Sequence, residues 1–211
     1  MVSLGQVLAF GAVSVVIILV PGPAVLFVVG RALAHGRRTA LASVAGNELG
    51  ALVLSAAVAF GVGRIVAESV VVFTALKLAG ALYLVYLGVR AFRHRGSLQE
   101  AMGAGAPAER GRALRQGFLV GITNPKTAVF FAAVLPQFVD RDRGHVPLQM
   151  LVFGLVFCLI ALLCDGAWGL AAATARGWLA RSPRRLAAIG GTGGLMMIGL
   201  GVTIAATGRR D

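Results

Sequence analysis

The feature that most constrains this chain is an apolar run with a proline near its middle. Residues 117–138 read GFLVGITNPKTAVFFAAVLPQF, a run long and apolar enough to cross a bilayer. Pro125 has no backbone N–H and its ring clashes with the carbonyl four residues earlier, so a regular helix cannot pass through it unaltered. Asn and Pro are typical of an N-cap and of the first helical position. The run therefore predicts one half-helix that ends near Ile122 and a second that begins at Pro125.

This break would place polar backbone and a lysine within the bilayer. Each unsatisfied polar group in hydrocarbon costs several kcal/mol, so irregular backbone at membrane depth is found only where protein or water covers it. The free N–H groups and positive dipole end at Asn124 and Pro125, with Lys126 beside them, suit an anionic group such as a carboxylate. The alternative is a kinked helix whose Lys126 extends to the nearest membrane interface.

Composition identifies an integral membrane protein. Of the 211 residues, 58% are hydrophobic and 13% are charged, which is far from the balance of a soluble domain. The formal net charge of +12 would suggest nucleic acid binding in a soluble chain. In an apolar chain the basic residues are better explained by membrane topology, so no nucleic acid partner is expected.

Six apolar segments of about spanning length follow one another along the chain. They cover residues 4–30, 39–63, 69–89, 116–139, 147–174 and 185–207. A polar linker rich in Gly, Ala and Arg, residues 90–115, separates the first three from the last three, and its middle is expected to be flexible. The prediction is an all-α, polytopic membrane protein with one integral transmembrane domain, made of a three-helix unit at 1–89, the linker at 90–115 and a second unit at 116–211.

The distribution of Lys and Arg predicts the orientation of these segments. Residues 31–38, 90–115 and 176–185 together carry 13 basic residues, whereas the loops and terminus on the opposite side carry 5 together with four acidic residues. The positive-inside rule places the basic set in the cytoplasm and both termini outside. Since no Lys or Arg precedes Arg31, the first segment lacks the basic region of a secretory signal and is interpreted as an uncleaved span.

Two units of three spans must have opposite orientations, and both begin with a proline-interrupted segment. The first segment contains Pro21, Gly22 and Pro23, and the first segment of the second unit contains Asn124 and Pro125. Paired interruptions in corresponding spans of inverted repeats indicate the binding site of a secondary transporter. We therefore expect two inverted repeats whose broken first helices meet at a shared polar pocket.

Three motifs follow one another along the chain: PGP at 21–23, LAGALYLVYLG at 78–88 after Lys77, and GFLVGITNPK at 117–126. Together they resemble the LysE/RhtB family of amino-acid exporters, and the resemblance covers nearly the whole chain. It implies a multi-pass carrier of the bacterial inner membrane that expels an amino acid or a small derivative, driven by the proton gradient. Which amino acid it carries and whether it forms homo-oligomers are left open.

Ionisable residues inside spans are functional candidates because each costs about 2.5–3.5 kcal/mol to insert. Glu48 and Asp165 are expected to face the ammonium of an amino acid, while Lys126 and the half-helix ends hold its carboxylate. Either acid could carry the coupling proton, since burial disfavours an isolated charge. The alternative is a buried ion pair between Lys126 and one of the two acids, without contact to substrate. Lys77 is expected to be structural.

Other classes of membrane protein lack their required residues here. Neither break contains the reactive cysteine of an electron carrier. The three histidines fall in loops, so neither a metal site nor an embedded hydrolase is indicated, and we expect no enzyme activity, no metal and no cofactor. A non-transporting scaffold or regulatory membrane protein, or a carrier of another small solute on a related fold, remains as an alternative.

Overall fold

The computed structural model describes residues 2–62, 70–93 and 110–206, and every regular element in these ranges is helical. The helices are α1 (Leu4–Leu19), α2 (Pro23–His35), α3 (Arg37–Ala57), α4 (Val70–Arg93), α5 (Arg110–Ile122), α6 (Pro125–Ala133), α7 (Val146–Thr174), α8 (Arg176–Ala180) and α9 (Pro183–Ala206). A π-helical turn, Val58–Val62, follows α3, and a 3₁₀ turn, Leu135–Phe138, follows α6. An all-helical fold is therefore confirmed for the described part of the chain.

Several of these helices are suited to a bilayer. Within the described ranges, α3 with its π turn and α7 are each long and apolar enough to cross a membrane. The bent pairs α1–α2 and α5–α6 are also long and apolar enough if each pair is taken as one span. The described chain thus provides up to four spans by length and composition. Residues 94–109, which include the middle of the predicted linker, and the side chain of Lys77 lie outside the described part. The six-span architecture and the division into 1–89, 90–115 and 116–211 remain predictions.

Both proline-containing segments are broken where the sequence predicts. The helix α5 ends at Ile122 and α6 begins at Pro125, with an angle of 44° between the two halves. The Asn124 side chain accepts a hydrogen bond from the Lys126 backbone N–H at 3.1 Å, as expected of an N-cap. In the first segment, α1 ends at Leu19 and α2 begins at Pro23 with a bend of 55°. A kinked but continuous helix is excluded in both places.

Glycines set the close packing of α3 against α5. Gly46 and Gly50 on α3 face Gly117 and Gly121 on α5, and a Cβ atom on any of them would overlap backbone atoms of the other helix. Four-residue spacing of glycines is the pattern that brings helix backbones together in lipid. The crossing holds the middle of α3 against the end of α5, directly beside the second break.

Two apolar clusters fill the interior on either side of these breaks. The first joins α1, α6 and α7 and is rich in aromatic rings, with centroids 4.9–6.2 Å apart: Phe10, Phe130, Phe131, Phe138, Phe153 and Phe157. The second joins α2, α3, α7 and the α8–α9 region through aliphatic side chains: Val25, Val28, Leu33, Val44, Leu179 and Leu186. Residues from both clusters contribute to one polar cavity between them.

Candidate functional site

A cavity at the two breaks collects most of the buried polar side chains predicted from the sequence. Its polar wall is formed by α3, α7 and the first turn of α6: Asn47, Glu48, Asn124, Lys126, Thr127 and Asp165. Its apolar wall consists of Ile18, Ala24, Val25, Ala51, Phe157 and Ala161. The water-accessible volume is about 20 Å³, enough for about one water molecule. The helices must therefore separate before an organic solute can occupy this space.

Lys126 connects the second break to the first. Its side chain is 5% exposed, and its Nζ donates to the carbonyl oxygens of Ile17 at 3.1 Å and Val20 at 2.8 Å. In a continuous helix the Ile17 carbonyl would accept from the residue four positions later, which is Pro21 and has no N–H. The ammonium of Lys126 thus replaces a backbone donor that proline removes from α1.

Gly22 provides the space for this lysine. A Cβ atom at Gly22 would lie 3.1 Å from Cδ and 3.3 Å from Nζ of Lys126. The backbone φ at Gly22 is −109°, which residues other than glycine adopt readily. Glycine at this position therefore makes room for Lys126 and is not required by the backbone conformation.

Asn47 and Glu48 present two unpaired acceptors. The Asn47 Nδ2 donates to Glu48 Oε1 at 2.8 Å, and this contact leaves Asn47 Oδ1 and Glu48 Oε2 buried without a hydrogen-bond partner in the described chain. The two side chains are 4% and 7% exposed. A buried acceptor without a donor costs about 1–3 kcal/mol, so these oxygens favour a bound donor in the cavity.

Asp165 faces the same cavity from α7 and is 4% exposed. Within the described residues, no carboxylate oxygen of Asp165 or Glu48 lies within 4.0 Å of the Lys126 ammonium. The buried ion pair considered from the sequence is therefore not formed in this structure. Its three candidate members share a cavity without contacting one another, which leaves both acids accessible to a bound cation.

The predicted site residues divide into two groups. Glu48, Asn124, Lys126 and Asp165 line the cavity. The prolines and Gly22 form the breaks beside it: Pro21, Gly22, Pro23 and Pro125.

Two polar residues of the cavity wall, Asn47 and Thr127, are absent from the prediction. Asn47 carried a signal that could have revealed it, since it is an amide one residue after Gly46 on the helix face that packs against α5. Thr127 carried none beyond following Lys126.

The fold and the cavity define a helical membrane protein with two broken helices around buried charges. Residues 15–208 match the LysE type translocator family, and the chain belongs to that family. Translocators are transporters, so the expectation that the chain is not an enzyme is confirmed by its family. The resemblance drawn from the three motifs is confirmed in the same way.

Named relatives extend over nearly the whole chain. An uncharacterized membrane protein of Vibrio cholerae is 35% identical over 199 residues, 94% of this chain and 95% of its own. The homoserine/homoserine lactone efflux protein of Salmonella typhi is 28% identical over 197 residues, 93% of this chain and 94% of its own. The leucine efflux protein of an Enterobacter strain is 26% identical over 190 residues, 90% of each chain. No solved structure matches.

Proposed function

We propose that this protein exports an amino acid or a small derivative from the cytoplasm through the cavity at the two helix breaks. The observation that carries the proposal is the convergence of Glu48, Lys126 and Asp165 on one cavity beside the interrupted helices. Ionisable groups at membrane depth mark substrate and proton pathways. Membership of a translocator family and the names of two relatives, which refer to homoserine, homoserine lactone and leucine efflux, support an amino acid as the solute.

The architecture proposed with this function is six spans in two inverted three-helix repeats. Helix packing supports it, because each broken helix packs against the second helix of the other half: α1 and α2 against α7, and α5 against α3. The second helices, α3 and α7, pack together, and so do the third helices, α4 and α9. A two-fold axis in the membrane plane would generate this set of contacts. The positive-inside count supports an orientation with both termini outside, and membership of the family together with bacterial relatives supports a location in the bacterial inner membrane.

The substrate-binding region comprises the two breaks and the two embedded acids: Pro21, Gly22, Pro23, Asn124, Pro125, Lys126, Asp165 and Glu48. Proton antiport is the proposed source of energy. A zwitterionic amino acid has no net charge, so the membrane potential does no work on it. An acid that binds a proton from outside and exchanges it for the substrate ammonium would couple the two movements, and Glu48 and Asp165 both occupy positions suited to that exchange.

Uptake into inside-out vesicles tests this function. Vesicles with and without the protein are given labelled L-homoserine or L-leucine, before and after collapse of the proton gradient. We expect uptake that requires the gradient and falls at least about tenfold in Asp165→Asn or Glu48→Gln. Asp140→Asn is the matched control, because Asp140 forms a surface ion pair with Arg143 at 2.8 Å outside the cavity. Undiminished uptake in both cavity variants would show that the cavity is not the transport site, and uptake equal to that of empty vesicles for both amino acids would exclude homoserine and leucine as the exported solutes.

A further inference from the structure

A row of phenylalanine rings leads from the cavity to the end of the molecule at which α1 begins, which is the outer end in the proposed orientation. Phe157 lines the cavity, and its ring centroid lies 5.2 Å from that of Phe130. The Phe130 centroid lies 5.7 Å from that of Phe10. Phe10 in turn lies 5.3 Å from Phe138 and 5.0 Å from Phe153. A solute that leaves the cavity along α1 toward the outer end must pass these rings.

The outermost part of this row is carried by a segment that α7 holds in place. Phe138 ends the 3₁₀ turn after α6, and we call residues 135–145, which lead from that turn to α7, the outer strap. Gln149 on α7 is 3% exposed, and its Nε2 donates to the carbonyls of Asp140 and Gly144, both at 2.7 Å. Its Oε1 accepts from the Asp140 N–H at 3.0 Å. Three buried hydrogen bonds therefore fix the outer strap to α7.

The hydrogen bond between the outer strap and α1 is more accessible to water. Gln6 Nε2 donates to the Phe138 carbonyl at 3.1 Å, and Gln6 Oε1 accepts from the Ser3 N–H in the capping box that begins α1. Since Gln6 is only half-buried, water can replace this bond at low cost when α1 moves. The inner end of α1 is held separately, by the ammonium of Lys126. The outer end of α1 can thus tilt away from the strap while its inner end stays attached.

We propose that Phe10 and Phe138 form the outer gate of the transport path and that Gln6 holds this gate closed. The proposal rests on the proposed export function, which requires the path to open outward. Phe10 lies on α1 and Phe138 on the outer strap, so the tilt of α1 would separate their edge-to-face rings. Gln6 is a positioning residue, because it acts through the Phe138 carbonyl.

Thiol labelling from each side of the membrane tests the gate without a transport assay. The reporter is Ala161→Cys in a background where both native cysteines are alanine, because Ala161 lines the cavity and is 4% exposed. Spheroplasts and inside-out vesicles are treated with a membrane-impermeant methanethiosulfonate. From the outside we expect labelling to be about fivefold faster with Gln6→Leu and at least about tenfold faster with Phe138→Ala, because each shifts the gate toward its open state. From the cytoplasmic side we expect no change.

Gln137→Leu is the matched control for these variants. Gln137 Nε2 donates to the Ala133 carbonyl at 2.6 Å, so this change removes a glutamine side-chain bond next to the gate without involving α1. Its labelling rate should equal that of the reporter alone. If Gln6→Leu and Phe138→Ala label no faster than Gln137→Leu at equal folded protein, or if the rate rises from the cytoplasmic side instead, the gate is overturned. If inside-out vesicles take up neither labelled amino acid, the proposed function fails for those solutes, and the labelling rates still decide the gate.

Locking the gate provides the converse experiment. Phe10→Cys and Phe138→Cys are combined in the same cysteine-free background and joined by a short bifunctional methanethiosulfonate, since the two rings are 5.3 Å apart. We expect the cross-link to lower uptake into inside-out vesicles at least about tenfold, because the lid movement that releases the solute is blocked, and reduction with dithiothreitol to restore it. Uptake that the cross-link leaves unchanged would show that the solute does not pass between α1 and the outer strap.

Discussion

The backbone polar groups at the two helix breaks find their hydrogen-bond partners in different ways. At the second break the local sequence satisfies its own backbone: the Asn124 side chain accepts from the Lys126 N–H, and the Asn124 carbonyl accepts from the Ala128 N–H at 2.9 Å. At the first break, Gly22 precedes α2 without a side-chain cap, and the end of α1 depends on the ammonium of Lys126. The second break is locally encoded, whereas the first needs a residue more than a hundred positions away.

This difference indicates which break is mobile. A capped helix start retains its geometry when its neighbours move, because its hydrogen bonds are local. At the α1–α2 break the Leu26 N–H donates locally to the Gly22 carbonyl at 3.0 Å, but the carbonyls of Ile17 and Val20 have a donor only while Lys126 remains in place. Movement of α6 relative to α1 would therefore release the first break and leave the second intact. The four variants below test this asymmetry in order of decreasing expected effect.

Gly50→Ala should have the largest effect, through the packing that positions the second break. The new Cβ atom would lie 2.7 Å from the Ile122 backbone nitrogen, at the end of α5, where no flexible side chain can yield. We expect a loss of about 3 kcal/mol in the free energy of unfolding, measured as a lower Tm of the purified protein in detergent. Gly11→Ala is the control, because its Cβ would meet Ile160 at an ordinary 3.6 Å. Equal Tm values in the two variants would contradict the close α3–α5 crossing.

Lys126→Met should release the first break. Two buried carbonyls lose a charged donor, which costs on the order of 2 kcal/mol. Spin labels at positions 8 and 38, on exposed residues of α1 and at the start of α3, span the bend in a background where both cysteines are alanine. We expect a broader distance distribution than in the parent protein. Asp165→Asn, which alters the cavity without touching α1, should leave the distribution narrow, and a narrow distribution in Lys126→Met would show that the first break holds without the lysine.

Asn124→Ala should affect the second break alone. Loss of an N-cap side chain costs about 1 kcal/mol, and in a chain of this size each kcal/mol lowers Tm by about 2–4 °C. Asn124→Asp retains an acceptor for the Lys126 N–H and should recover most of the loss. If the alanine and aspartate variants have the same Tm, the cap at Asn124 does not stabilise α6.

Gly22→Ala should have the smallest effect. The added methyl group would lie 3.1–3.3 Å from the Lys126 side chain, which can shift by a few tenths of an ångström, so we expect less than about 1 kcal/mol. The spin-label distribution should broaden in the same direction as in Lys126→Met, to a smaller extent. Gly5→Ala is the control, because a Cβ there meets nothing within 4 Å, and its distance distribution should match that of the parent protein. If Gly22→Ala gives the same distribution as Gly5→Ala, a side chain at position 22 does not disturb Lys126.

Local chemistry explains why the breaks could be predicted. Proline removes a backbone donor and asparagine supplies a cap, so the end of α5 and the start of α6 follow from residues 122–125 alone. Glu48, Lys126 and Asp165 could be predicted as functional residues because burying a charge in an apolar span is costly. The partners of these groups could not be predicted, because they depend on the crossing of α3 and α5 and on the bend between α1 and α2.

The sequence by itself determined an apolar helical chain, its two interruptions and the three charges near them, since each depends on residue type and short spacing. The tertiary structure decided that Lys126 binds the carbonyls of Ile17 and Val20 instead of an acid, and that Asn47 joins Glu48 at the cavity. The physical reason is the separation along the chain of the residues that interact. Helix starts and stops depend on contacts within four residues, whereas the partner of a buried charge is whichever group the packed helices bring within hydrogen-bonding distance.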